Sequence, residues 1–261
     1  VVLVLGLDET VEGEEMFGGS DEFANGDKKT LLLPSNQREL LDAVLAVGKP
    51  TTVVLLSGSA LAVDDDRIDA LVQAWYPGAV GGQAVGELLF GAYSPSGRLP
   101  VTFYRSLDDL PAFTDYDMRN RTYRYYEGEA LYPFGYGLSY TRFGYDGLRI
   151  DCGEAVTAKV AVTNCGEVAG REVVQAYVRW NGGDASQPRW HLCAVGAAEL
   201  QPGETTEVVL TIPREALYTY HADGSRAVEP GSYTLWVGGG QPDARTAALT
   251  GNAVLEGTFT L

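Results

Sequence analysis

The chain has 261 residues, 45% of them hydrophobic, enough to bury a sizeable core in one or two domains. Nineteen basic against 35 acidic residues give a formal net charge of −16. That balance argues against nucleic acid and membrane surfaces as partners, since both are met by basic patches, and no apolar run reaches membrane-spanning length.

In chain order, Val1-Val2-Leu3-Val4-Leu5 predicts a buried strand of a parallel sheet, because it shows no polar alternation and is too short for a typical helix. Gly6 lets the chain turn, and Val11-Glu12-Gly13-Glu14-Glu15 stands at the strand's C-terminal end. In open α/β sheets that edge is where ligands bind. The clustered carboxylates repel one another, so the pKa of at least one is expected to rise. A carboxyl that stays protonated near neutral pH can serve as a general acid; the plainer alternative is a set of solvated loop acids. Met16 to Ala24 reads as a loop, and Asp27-Lys28 comes after it.

Ser35 is expected to cap a helix running to about Val47, with Leu40, Leu41, Val44 and Leu45 on one apolar face. Thr52 to Leu56 is the next buried strand, with Ser57-Gly58-Ser59 at its end; the lone Gly there makes no phosphate loop. Asp64-Asp65-Asp66 predicts a solvated helix start. Ala70 to Trp75 predicts a strand, and Gly81 to Phe90 a helix. This alternation is α/β wiring with a parallel sheet. Trp75 and Tyr76 could stack on a sugar, though core packing is the simpler assignment. Leu99 to Phe103 predicts a short strand leaving the sheet.

Tyr104 to Tyr145 is rich in Tyr, Arg, Gly and Pro and reads as a linker held by aromatic and arginine stacking. From about Gly144 short alternating runs appear at Val156–Val162, Glu172–Trp180, Thr206–Ile212 and Ser232–Val237. Turn signals such as Asn164-Cys165-Gly166 and Glu229-Pro230-Gly231 separate them, the pattern of an antiparallel β-sandwich. The expected fold class is therefore α/β followed by all-β: a partial α/β sandwich with a mostly parallel sheet over residues 1–103, a linker over 104–143, and an immunoglobulin-like sandwich over 144–261.

Cys152, Cys165 and Cys193 show no metal-ligand spacing and read as free thiols in a reducing compartment, a cytoplasmic rather than a secreted setting. His191 and His221 are the only histidines, which disfavours a histidine-based triad or zinc site, and no metal or other cofactor is expected. The chain starts at Val1 inside an expected strand, without an initiator methionine, and so reads as truncated, with any targeting signal out of view.

Several strings stand in a specific order: the acidic cluster, Asp27-Lys28, Leu31-Leu32-Leu33-Pro34 with Gln37, Ala74-Trp75-Tyr76-Pro77-Gly78, Gly97-Arg98-Leu99-Pro100-Val101-Thr102, and Tyr132-Pro133-Phe134-Gly135-Tyr136-Gly137-Leu138-Ser139-Tyr140. In this order and spacing the chain resembles, over nearly its whole length, the C-terminal part of glycoside hydrolase family 3. Asn164, Gly170, Val173, Val174, Gln175 and Tyr177 resemble that family's fibronectin type III-like domain.

The resemblance implies a retaining, exo-acting β-glycosidase, of the β-glucosidase or β-xylosidase type, acting on an oligosaccharide or glycoside. It further implies an Asp nucleophile on an N-terminal barrel that this chain does not contain, and an acid/base Glu on the α/β part. Retaining chemistry needs two nearby carboxyls, one to attack and one to protonate the leaving oxygen. Counting from the end of the first strand favours Glu12 as the acid/base, counting by the stretch that leads to Asp27-Lys28 favours Glu14, and Glu15 is third; Glu14 is placed slightly ahead. Glu15 and the Asp27-Lys28 pair are candidate substrate-binding groups, the lysine standing where the family commonly has an arginine and lacking its bidentate fork. The competing class is a non-catalytic carbohydrate-binding or interaction module.

Overall fold

The computed structural model describes residues 1–12, 23–24 and 27–261. Strand β1 (Val2–Gly6) pairs in parallel with β4 (Thr52–Leu56), and β4 with β5 (Ala70–Gln73), giving a sheet in the order β1-β4-β5. Between β1 and β4 lie the two-residue strands β2 (Phe23–Ala24) and β3 (Asp27–Lys28), which pair antiparallel, and helix α1 (Ser35–Leu45). Helix α2 (Gly81–Leu89) comes after β5. Leu5, Leu7, Phe23, Leu33, Leu41, Leu45, Val53, Leu55, Leu61 and Val63 form the core of this unit, which comprises Val1–Ala92, Phe103–Ala112 and Glu129–Leu131.

Several local expectations need correcting. Only one face of β1 is covered: Leu5 and Leu7 enter the core, whereas Val2 and Val4 are 57% and 55% exposed, so the uniform apolar run does not mark burial on both faces. In α1, Leu41 and Leu45 face inward and Leu40 is exposed. Pro34, not Ser35, occupies the N-cap position; Ser35 is already the first helical residue, and no side chain caps the first turn. Asp64–Asp66 starts no helix; the acids instead meet arginines, Asp65 bonding Arg67 at 2.6 Å and Asp64 bonding Arg105 at 2.9 Å. Leu99–Phe103 is not a regular strand, and Leu99 exchanges backbone hydrogen bonds with the Gly135–Tyr136 turn.

The second unit comprises Tyr93–Thr102, Phe113–Gly128 and Tyr132–Leu261. Its irregular segments include the single-turn helix α3 (Thr122–Tyr125). Its strands are β6 (Phe143–Cys152), β7 (Val156–Asn164), β8 (Gly170–Trp180), β9 (His191–Leu200), β10 (Thr205–Ile212), β11 (Tyr218–Tyr220), β12 (Arg226–Val228), β13 (Ser232–Gly238) and β14 (Leu255–Thr260), with helix α4 (Ala244–Thr250) before the last. Two antiparallel sheets result, ordered β10-β7-β6 and β14-β13-β8-β9, with β11-β12 as a separate hairpin. Alternation along β7 and β10 turns Val156, Ala158, Val160, Val162, Val208, Leu210 and Ile212 into the core, against Val174, Ala176, Val178, Leu235 and Val237 of the other sheet.

Two polar clusters tie the irregular segments to this sandwich. Arg98 Nη2 bonds Glu172 Oε2 at 2.6 Å with both side chains largely buried, and Tyr145 donates its hydroxyl to the other Glu172 oxygen at 2.5 Å. Burial and the Glu172 charge hold the Tyr145 phenol well above its ordinary pKa, so it stays a donor. Tyr177, fully buried, donates to Gln175 Oε1 at 2.6 Å, while Gln175 Nε2 donates to the carbonyls of Gly135 and Gly239. Tyr123 stacks on Phe134 with ring centroids 4.0 Å apart, and both meet the Tyr177 ring edge-on.

Removing one member of a buried ion pair leaves the other charge without a partner. Glu172→Ala is therefore expected to destabilise the sandwich by about 3–5 kcal/mol, and the double change Arg98→Met/Glu172→Leu by much less. Chemical denaturation of the three proteins checks this; equal losses would show that the pair's charges do not carry the effect. All three cysteines are free thiols: Cys152 and Cys165 are exposed, and burial pushes the Cys193 thiol up to about 12. Alkylation followed by mass spectrometry is expected to modify Cys152 and Cys165 rapidly and Cys193 only on unfolding.

Candidate active site

The site is assembled at the C-terminal edge of the parallel sheet. Gly6, the last residue of β1, has φ +149°, and a Cβ there would lie 1.7 Å from the Leu56 carbonyl oxygen of β4. Only glycine lets the two strands close at this point. Gln37, on α1, brackets the same residue: Gly6 N donates to its Oε1 at 2.8 Å and its Nε2 donates to Gly6 O at 2.7 Å. The chain therefore leaves the sheet in one fixed direction.

Beyond Gly6 the chain makes a tight turn. Thr10 N and Oγ1 both donate to Asp8 Oδ1, at 2.9 and 2.6 Å, and these bonds, the hydroxyl's first, hold the Asp8 carboxyl below its usual range. Glu12 N then closes onto Asp8 O at 2.9 Å. This brings the half-buried Glu12 carboxylate to the end of β4, where Ser59 Oγ lies 2.9 and 3.2 Å from its two oxygens and shares one hydrogen between them. Ser59 sits in the Ser57-Gly58-Ser59 turn, which the Ser57 hydroxyl folds by donating to Ser59 O at 2.8 Å.

Lys28 joins the same edge. Its Nζ donates to the Ala60 carbonyl at 2.9 Å. Burial pulls the ammonium's pKa down, and the Glu12 charge opposes that shift. A lysine and a glutamate thus share a partly dry site with a hydroxyl. Asp27, its neighbour in the sequence, is exposed. Glu14 and Glu15 lie outside the described residues.

The end of β5 brings aromatic surface. Tyr76 is 56% exposed, so core packing does not account for it. Its ring lies against Gly58, where an added Cβ would meet Cε2 at 2.9 Å, one residue from the serine that holds Glu12. Trp75 is half-buried, near Phe103 with ring centroids 6.1 Å apart, and takes a positive φ of 54°, a conformation that a bulky side chain rarely adopts and that clusters at functional sites. An exposed ring near a carboxylate, a hydroxyl and an ammonium is chemically suited to contact a polyhydroxylated ring. Ser59 and Gln37 are the participants that motif reading missed as chemistry. The small-residue turn after an apolar strand marked the place of the first, and nothing in the sequence marked the role of the second. Among the described residues, no group of three or more His, Cys, Asp or Glu is placed to hold a metal.

Known proteins share this chain's sequence pattern and fold. The model of the glycosyl hydrolase family 3 C-terminal domain matches residues 1–140, and that of a fibronectin type III-like domain matches residues 172–241. The chain is 39% identical over 256 residues to a xylan 1,4-beta-xylosidase of Xylanibacter ruminicola, covering 96% of this chain and 30% of that protein. It is 34% identical over 230 residues to a periplasmic beta-glucosidase of Salmonella typhimurium, covering 81% of this chain and 30% of that protein. The structure of a β-glucosidase from Erythrobacter marinus superposes with a TM-score of 0.82 at 33% identity, over 99% of this chain and 34% of the other. The chain thus spans about a third of the length of these relatives. Over that span, from the parallel sheet and its acidic edge to the β-sandwich, the chain belongs to glycosyl hydrolase family 3, as part of its C-terminal region.

Proposed function

We propose that this chain is the C-terminal part of a retaining, exo-acting β-glycosidase, cleaving β-xylosides or β-glucosides, and that it supplies the acid/base carboxyl. The observation that carries the proposal is the acidic turn held at the sheet's C-terminal edge by Gly6, Gln37 and Ser59. The nucleophile belongs, on this reading, to the part of the relatives that this chain does not span.

In the first step a carboxylate attacks the anomeric carbon while the acid/base gives its proton to the leaving oxygen. In the second, the same group, now a base, takes a proton from the water that releases the sugar. Both oxygens of Glu12 face Ser59, which suits a group that positions or binds substrate. On this reading Glu14 is the acid/base, with Glu12 next. Lys28 and Tyr76 would contact substrate, Lys28 through hydroxyl oxygens and Tyr76 through the C–H face of a ring.

A general acid matters most for a poor leaving group. In the complete enzyme, Glu14→Ala is expected to slow hydrolysis of xylobiose or cellobiose by about 10²–10⁴ while sparing the first step on an activated aryl glycoside. Azide should then rescue turnover by yielding a glycosyl azide, because a small anion needs no general base. Glu12→Ala is expected to show a smaller effect that does not depend on the leaving group. If Glu14→Ala and Glu12→Ala both cleave the disaccharides at near wild-type rates, the acid/base lies elsewhere. Hydrolysis of an aryl glycoside by the 261-residue chain alone would show that the nucleophile is within it.

A further inference from the structure

The sandwich unit carries a cleft of about 170 Å³. It is lined by Arg124 and Tyr125 of α3, Arg179 and Trp180 of β8, His191 of β9, and Tyr220 of β11 among others. We propose that this cleft binds a saccharide bearing a carboxylate, that is, a uronic-acid sugar. The inference goes beyond the glycosidase reading and stands without it, since it concerns binding by this chain and no bond is broken.

The charge pattern is the first argument. In a chain of net charge −16, no aspartate or glutamate among the described residues lines the cleft. The Arg124 guanidinium, half-buried, makes no hydrogen bond or ion pair with the described residues, and its Nε is enclosed without an acceptor. Among the described residues Arg179, which lines the cleft, has no carboxylate partner; Arg226 is outside the lining and stacks 5.0 Å over the ring of Tyr218, which is part of it. Asp184, on the loop leading to the cleft, is taken up by Ser186 N and Oγ at 2.8 and 2.6 Å. His191 gives its Nε2 proton to the Ala216 carbonyl at 2.5 Å; burial first, and the Arg124 charge as well, lower its pKa, so it adds a fixed dipole and no acid. Guanidinium groups that lack a carboxylate partner among the described residues, Arg124 lying only over the Tyr125 ring at 5.9 Å, are matched by a planar carboxylate, which takes two of their hydrogens at once.

The second argument is shape and surface. Tyr220 is 63% exposed at the cleft, with Tyr125 and Trp180 beside it, and such rings meet the C–H faces of a pyranose. Clefts for drug-sized ligands run to roughly 300–1,000 Å³, so this one suits a single ring and not a nucleoside with its phosphates. The surrounding acidic chain repels a dense polyanion and tolerates a neutral glycan with an occasional carboxylate.

The test titrates this chain with a xylo-oligosaccharide carrying one glucuronic acid, the same oligosaccharide without it, and inorganic phosphate, by calorimetry and by Trp180-sensitive NMR. The acidic oligosaccharide is expected to bind at least about tenfold more tightly than the neutral one, and more weakly as salt rises. Arg124→Gln should abolish that advantage, with circular dichroism unchanged; Arg179→Gln, at an exposed position, reads the same effect if Arg124→Gln does not fold. Equal affinity for the two oligosaccharides, phosphate binding as tight as the acidic sugar, no saturation at millimolar ligand, or an advantage that survives in the folded variants would each overturn the proposal. Binding is read on this chain and bond cleavage on the complete enzyme, so the outcome is separable from that of the catalytic reading.

Discussion

The α/β unit depends on one contact that permits no side chain. Gly6 and Leu56 end two parallel strands in register, and the backbone of one sits where the Cβ of the other would be. Parallel strands with apolar faces specify a sheet but not where the chain departs from it. That departure is set here by a glycine at positive φ and a glutamine amide that satisfies both its N–H and its C=O. Everything chemical at the sheet's edge inherits its position from this point: the Asp8 turn, the Glu12 carboxylate, and the Ser59 hydroxyl that meets it from the end of β4.

The sandwich unit solves a different problem. Two antiparallel sheets bury their alternating aliphatic faces on each other, which needs no polar chemistry. The irregular segments that belong to this unit have no such alternation, and they are held instead by polar groups that cannot be left unpaired once buried. Arg98 finds Glu172, Glu172 finds Tyr145, and Gln175 finds two backbone carbonyls. Arg98 and Glu172 are 74 residues apart, on the order of 250 Å of extended chain, yet within hydrogen-bond reach in the fold.

The parts legible in the sequence were those with a period. β4, β7, β8, β10 and β13 stand where apolar runs or alternation placed them, within two residues at each end. Strands with weak alternation, such as β6 and β9, escaped notice, because half-exposed positions in them carry small or mixed residues. The triple aspartate misled for an electrostatic reason: a helix N-terminus attracts acids, but arginines brought near by the fold attract them as well. At the site, residue types pointed to the acidic turn and to Lys28, since those groups carry chemistry by themselves. Tyr76 was legible as a ring that could meet a sugar, whereas the parts played by Ser59 and Gln37 emerged only when the ends of β1 and β4 and the start of α1 were brought together.

The central claim is that the carboxyl protonating the leaving group comes from the turn after β1. A crystal structure of the complete enzyme, with its nucleophile inactivated and an intact disaccharide bound, tests this most directly. The account predicts a carboxylate oxygen of the 11–15 segment within about 2.6–3.2 Å of the glycosidic oxygen. A glycosidic oxygen whose only acidic neighbour comes from another part of the protein would contradict it.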